Sequence, residues 1–360
     1  MGYFLLVARR MILYGACLGV LVAARLAASQ DIARSDDVLE SARRLVSAND
    51  LNKATELLTD LLRRDPTNQT ANLMLGDIRL VQGLNGDALK SFEAVLAADP
   101  GSAPAREGEV KAAEAAALAD RKAGLDGSAL LCLLQARKFV PDSPQLLLDF
   151  GIQAESMKIY ADADAALKRA HELAPDDAKI IYALAHVQFD EQNMPDAERN
   201  LRAYLKMRPD DATAHYGLGR LLHMLVRNDE AKAELDHSIA LQPRQIESYY
   251  ELGEIAREAN QADEAKKQYE TVLADSPHHG GALTGLGILA YRTGDYVSAE
   301  KYLAAAVGYA PDYVAAHHYY SLVLVRLGRK DEARREADLA ATLSAQDGKA
   351  RHGNELTVLE

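Results

Sequence analysis

At 360 residues with a formal net charge of −12, the chain is long enough for two ordinary domains and strongly acidic. Acidity disfavours nucleic acid and anionic membrane as partners, since both require Lys and Arg against phosphate. Apolar residues make up 48 % and alanine is abundant, which suits a packed helical core, while aromatics are 6 % with no tryptophan.

Residues 1–29 read as a separate segment. Arg9 and Arg10 precede an uncharged run from Met11 to Ala24, and Ala27-Ala28-Ser29 then precedes Gln30. This is a charged n-region, a short apolar stretch and a candidate cleavage site. Two readings stand: a cleaved signal, giving an exported periplasmic or secreted chain, or an uncleaved inner-membrane anchor of residues 11–24. The run is short for a span, which needs about 20 residues. Cys17 lies inside it, and the run continues past it through Val22, which argues against lipidation there. Cleavage would remove Arg9, Arg10 and Arg25 but no acid, leaving a more acidic chain. Cys132 would then be alone, so no internal disulfide is expected.

From Ser35 onward the chain is periodic. Pro66 and Pro100 are 34 residues apart, and Pro141, Pro175, Pro209, Pro243, Pro277 and Pro311 keep the same interval. Ala163, Ala197, Ala231, Ala265 and Ala299 share the beat, as do Gly151, Gly219, Gly253 and Gly287. A fixed period of this size marks a solenoid of one repeated supersecondary unit. Each period reads as two helices. Between Ile246 and His279, Tyr249, Leu252, Gly253 and Ala256 fall at helical spacing, and so do Ala265, Tyr269 and Val272. The polar turn 259–263 separates the halves, and the proline stops the second helix. Gly253 and Ala265 are expected where two helices cross closely, while Lys232 and Glu234 read as exposed second-helix positions.

Taken in order, residues 35–102 hold two units. The first carries Val38, Ala42, Leu45, Ala54, Leu58 and Leu61, and the second Leu75-Gly76, Ala88 and Phe92. Asn68-Gln69-Thr70 fits a glycosylation sequon that matters only in a eukaryotic secretory pathway. The ruler then slips by seven, since Pro100 and Pro141 are 41 apart. Seven residues are about two helical turns, and the stretch 103–123 is rich in helix formers. The third unit, 103–143, is therefore expected to be degenerate with a lengthened first helix. The other reading, prompted by Pro104 and Gly108, is a flexible loop over 103–109. Residues 144–345 hold six further units, nine in all. The last has Tyr320-Ser321 and Ala345 where the others have Leu-Gly and Pro, as suits a cap. Residues 346–360 read as a polar tail. The Asp-Asp pairs at 36–37, 176–177 and 210–211 lie at helix starts, where carboxylates cap free N–H groups, so catalysis is the weaker reading.

Tyr249-x-x-Leu252-Gly253, Ala265-x-x-x-Tyr269 and Pro277 resemble the tetratricopeptide repeat family, as do Leu283, Leu286-Gly287, Ala299, Leu303 and Pro311. The departure is the missing tryptophan, replaced by Leu147, Ile181, His215, Tyr249, Leu283 and His317. The resemblance implies an all-α, right-handed α-solenoid of about nine antiparallel helix pairs, with first helices lining a concave groove. Carried over by position, the groove residues are Lys179, Tyr182, His186 and Phe189, then Tyr216, Arg220 and His223. Tyr250, Glu254 and Arg257 follow, then Thr284, Tyr291 and Arg292. Tyr182, Tyr216 and Tyr250 occupy one position in three consecutive repeats and are expected as a ladder. Tyr with Arg and His suits a recognition surface; the plainer reading packs the rings between adjacent first helices. The family's Lys and Asn clamp for a C-terminal carboxylate is missing, so chaperone tails are not expected as ligands.

No catalytic or cofactor chemistry is expected. Gly285-Leu286-Gly287-Ile288-Leu289-Ala290 satisfies a dinucleotide-binding string but follows no strand and falls inside a helix. His278-His279, His317-His318 and the His215/His223 pair lack metal-ligand spacing. The favoured reading is a non-enzymatic scaffold for protein–protein interaction in the cell envelope or secretory compartment. The solenoid itself is expected to touch neither nucleic acid nor membrane. The other reading is a non-catalytic, substrate-presenting arm of an enzyme system such as a glycosyltransferase or polysaccharide export complex.

Overall fold

The computed structural model describes residues 35–352, with side chains through residue 346. The leader, and with it the signal or anchor reading, lies outside the described residues. These residues form eighteen helices and no strand. They are α1 (35–47), α2 (Leu51–Arg64), α3 (Gln69–Val81), α4 (Asn85–Ala98), α5 (Ala103–Lys122) and α6 (Asp126–Phe139). After them come α7 (Pro144–Ser156), α8 (Tyr160–Leu173), α9 (Ala178–Asp190), α10 (Met194–Met207), α11 (Ala212–Met224) and α12 (Asn228–Leu241). The rest are α13 (Ile246–Glu258), α14 (Ala262–Asp275), α15 (Gly280–Arg292), α16 (Tyr296–Tyr309), α17 (Val314–Arg326) and α18 (Lys330–His352). The chain is an all-α solenoid of antiparallel helix pairs. It divides into two compact units, one ending at Gln153 and the other beginning at Ala154. No described helix is long and apolar enough to cross a membrane.

Helix starts follow from capping side chains. Asp177 accepts from the Lys179 N–H, Asp211 from that of Ala214, and Asp295 from that of Ser298. Asn68, the sequon asparagine, accepts from the Ala71 N–H and donates to Asp65, so it serves as a cap. Asp36 and Asp37 stand inside α1 instead.

The turn within each pair has its own signature. One residue takes the left-handed region in every pair: Asn49, Gly83, Gly124, Lys158, Gln192, Val226, Asn260, Gly294 and Gly328. The interval is 34 throughout, except for 41 between Gly83 and Gly124. That slip lies in α5, which has 20 residues where α3 and α7 have 13. Residues 103–109 belong to this helix. At the other end, α18 runs to His352, past the point where the sequence places a polar tail.

Packing explains the small residues. In the first unit the Phe92 ring of α4 lies between Gly76 of α3 and Gly108 of α5, and a methyl group on Gly76 would come within 2.6 Å of it. In the second unit Tyr269 of α14 lies in the same way between Gly253 of α13 and Gly285 of α15. Leu235 fills the space at Gly219, and Leu303 that at Gly287. Each missing side chain thus admits one large residue of a second helix, and Phe92 and Tyr269 also lock their pairs to the next. Successive first helices also touch directly, α3 with α5 and α11 with α13 and α15 in turn. Three of the residues standing where the family has tryptophan tie the repeat to the preceding proline. His215 bridges the Pro209 carbonyl and Glu234, and His317 bridges the Pro311 carbonyl and Glu336, each at 2.9 and 2.6 Å. Tyr249 donates to the Pro243 carbonyl at 3.3 Å. Glu234 is therefore no idle surface residue, which corrects the sequence reading.

Candidate partner-binding wall on the first helices

In the second unit α9, α11, α13 and α15 carry all the groove residues expected from the repeat frame. Five of them gather around one hollow of about 250 Å³ between α9 and α11. Tyr182, His186 and Phe189 come from α9, Tyr216 and Arg220 from α11, and Leu201 of α10 lines it too, itself buried. The Tyr182 ring rests on Tyr204 with centroids 4.8 Å apart and on His186 at 5.2 Å. The Arg220 guanidinium sits 5.3 Å above the Phe189 ring, a cation–π arrangement. It is 3.7 Å from Glu251, beyond hydrogen-bond reach, and the side chain is 48 % exposed. The Glu155 carboxylate, 3.4 Å from His186, raises that imidazole's pKa. Burial raises the carboxyl of Asp190 and the phenols of Tyr182 and Tyr216.

The remaining candidates are differently placed. His223 is clamped between Glu251 at 2.9 Å and Glu258 at 3.2 Å, and the Glu251 hydrogen bond raises its pKa. Arg257 is paired to Glu254, which also accepts from the Tyr269 hydroxyl. Neither Arg257 nor Glu254 then offers an unbalanced charge. Thr284 is 2 % exposed and donates its hydroxyl to the Gly280 carbonyl, so it has nothing to present. Tyr250 lies against Gly281 and His279, and its hydroxyl is 3.3 Å from that of Tyr313. Tyr291 meets Tyr296 and Tyr319, Arg292 donates to the Arg257 carbonyl, and Lys179 is exposed. Tyr182, Tyr216 and Tyr250 thus stand at equivalent positions in unlike surroundings, with Tyr250 packed against the next pairs and the other two lining the hollow.

The repeat frame missed the acids that neutralise the wall: Glu155, Asp190, Glu251 and Glu258. It also missed Gly217, which lines the hollow. Two glycines in one helix, Gly217 and Gly219, were the available signal, since the repeat's packing accounts for only the second. Among the described residues no three His, Cys, Asp or Glu side chains gather as a metal site.

A first helix, a left-handed turn, a second helix and a closing proline, repeated at fixed interval, define a helical repeat protein. Residues 39–103, 182–245, 250–313 and 290–348, together more than half of the chain, match the family model of the tetratricopeptide repeat. The chain belongs to that family. Among solved structures it shares its fold with the APC/C hetero-tetramer Cut9-Hcn1, at 16 % identity and a TM-score of 0.54 over 82 % of this chain. It spans 56 % of that neighbour's length. Yeast Tom70 aligns over 84 % of this chain and 76 % of its own, at 16 % identity and a TM-score of 0.48. Pseudomonas aeruginosa pilF aligns over 59 % of this chain and 93 % of its own, at 19 % identity and a TM-score of 0.46. No curated protein matches the chain.

Proposed function

We propose that the chain is a non-enzymatic scaffold holding a protein or peptide partner along the first-helix wall of its second unit, outside the cytoplasm. The carrying observation is the cluster at α9 and α11, where two tyrosines, a phenylalanine and a half-exposed arginine surround an unfilled hollow. Such residues supply most of the binding energy at protein interfaces, because rigid rings and a planar guanidinium lose little entropy for the area they bury. Membership of a repeat family with open helical faces supports the same reading. The leader pattern of residues 1–29 supports export.

The test is affinity capture with the full chain from cells that make it, followed by mass spectrometry and a binding measurement on the captured partner. Tyr216→Ala with Arg220→Ala should weaken binding at least about tenfold while helical content and melting stay near the parent's. Lys232→Ala with Asp236→Ala, on the second-helix side, should leave affinity within about twofold. A folded double variant with parental affinity would place the partner elsewhere. An unfolded one would make the two residues core.

A further inference from the structure

The hollow at α9 and α11 has a feature that no repeat requires. Gly217 faces it, and where its Cβ would stand the nearest atom is Leu201 Cδ2 at 4.0 Å. Every packing glycine described above has a side chain pressed against it, and Gly219, two residues on, has Leu235. One repeat further, the position of Gly217 is held by Glu251, whose carboxylate reaches His223. Two repeats further it is Gly285, where the Tyr269 ring fills the space. Only between α9 and α11, of these three, does the chain leave the position unfilled.

The size selects the class of occupant. Small-molecule sites usually measure about 300–1,000 Å³; about 250 Å³ is closer to one side chain. The walls are the Tyr182, Phe189 and Tyr216 rings, with Leu201 beside Gly217, so the occupant is apolar. Charge at the rim selects its neighbour. Glu155 is engaged by His186 and Glu251 by His223, and Asp190 lies in the field of both His186 and Arg220. Arg220 reaches no carboxylate at hydrogen-bond distance. Glu251 meets Arg220 only as a loose ion pair at 3.7 Å and is held more closely by His223, so a carboxylate brought by the partner would give the half-exposed guanidinium a nearer, hydrogen-bonded counter-charge.

We infer that this hollow is a socket for one Leu, Met or Phe of a partner peptide, with an adjacent Asp or Glu paired to Arg220. The inference rests on the scaffold reading and names the partner's chemistry. Gly217→Leu supplies the missing occupant from within. It puts a helix-favouring residue at a position with open space, so the variant should fold as the parent does. Gly217→Ala adds one methyl group and leaves most of the hollow.

The experiment pans a phage-displayed random dodecapeptide library on the full chain, then measures the recovered synthetic peptides by fluorescence anisotropy. Recovered sequences should share Leu, Met or Phe beside Asp or Glu. Their affinity should fall at least about tenfold on Gly217→Leu and stay within about twofold on Gly217→Ala. Arg220→Gln should weaken acidic peptides and leave their Asn or Gln counterparts unchanged. Peptides that bind Gly217→Leu as tightly as the parent overturn the socket. If they still compete with the captured partner, the scaffold reading survives. Recovery of Lys or Arg beside the apolar residue overturns the acidic assignment in favour of Asp190. A library that returns no binder overturns the socket as a peptide site, and the scaffold reading then stands or falls by the capture experiment alone.

Discussion

Glu109 of α5 is fully buried, and neither of its carboxylate oxygens has a hydrogen-bond partner. Its surroundings explain its state. It lies in the field of the Glu93 carboxylate, near the Cys132 thiol. Burial, helped by the Glu93 charge, pushes its pKa up to about 8. The folded chain therefore carries it as a neutral acid at neutral pH. The unfolded chain releases that proton near the ordinary value of 4.5. Between those two values the native state binds more protons, so stability falls as pH rises across the window, by up to about 1.4 kcal/mol per pH unit. Glu109→Gln keeps the shape and removes the titration. Its denaturant midpoint should match the parent's at pH ~4 and exceed it at pH ~8. Parallel curves for the two proteins across that range would refute a neutral Glu109.

At the scale of the element, the left-handed turn within each pair separates residues that fit it from residues that merely endure it. Glycine holds the position in four pairs and asparagine in two. Val226, between α11 and α12, holds it with φ 60° and its side chain 79 % exposed. A β-branched residue there crowds its own carbonyl at about 1–2 kcal/mol, with no packing to offset the strain. Val226→Gly should therefore raise the unfolding free energy by about 1 kcal/mol, after glycine's extra chain entropy is deducted. The measure is a higher urea midpoint at unchanged slope. An unchanged or lower midpoint would show that the turn carries no such strain. The sequence did not point to these positions, because the helical period and the closing prolines constrain the helices and leave the turn's one special dihedral to whichever residue stands there.

Within each unit the chain is built by addition, with a large second-helix residue set against small first-helix ones, as Phe92 is against Gly76 and Gly108 and Tyr269 against Gly253 and Gly285. The proposed export rests on the leader pattern of residues 1–29. If residues 1–29 are a cleaved signal, intact-mass analysis of chain purified from an exporting host should place the mature N-terminus near Gln30. A mass retaining Met1 or Met11, with the chain in the membrane fraction, would favour the anchor of residues 11–24.

The helix pairs and their crossings were legible in the sequence because they are local and repeated. Equal spacing brings Gly253 against Tyr269 and Gly287 against Leu303 by the same geometry, so one repeat predicts the next. The lengthened α5 was legible for the same reason, as a slip of about two whole turns. What the tertiary structure alone decided is the character of the wall. Tyr182, Tyr216 and Tyr250 are alike in the repeat frame. Yet Tyr250 is covered by Tyr313, 63 residues further on, while the other two line a hollow. Arg220 and Arg257 are equally charged in sequence, but Glu254 holds the second closely while Glu251 meets the first only at 3.7 Å. These differences depend on side chains brought in from neighbouring pairs. A period records where a residue stands in its own repeat, and the contact that covers or exposes it comes from the next.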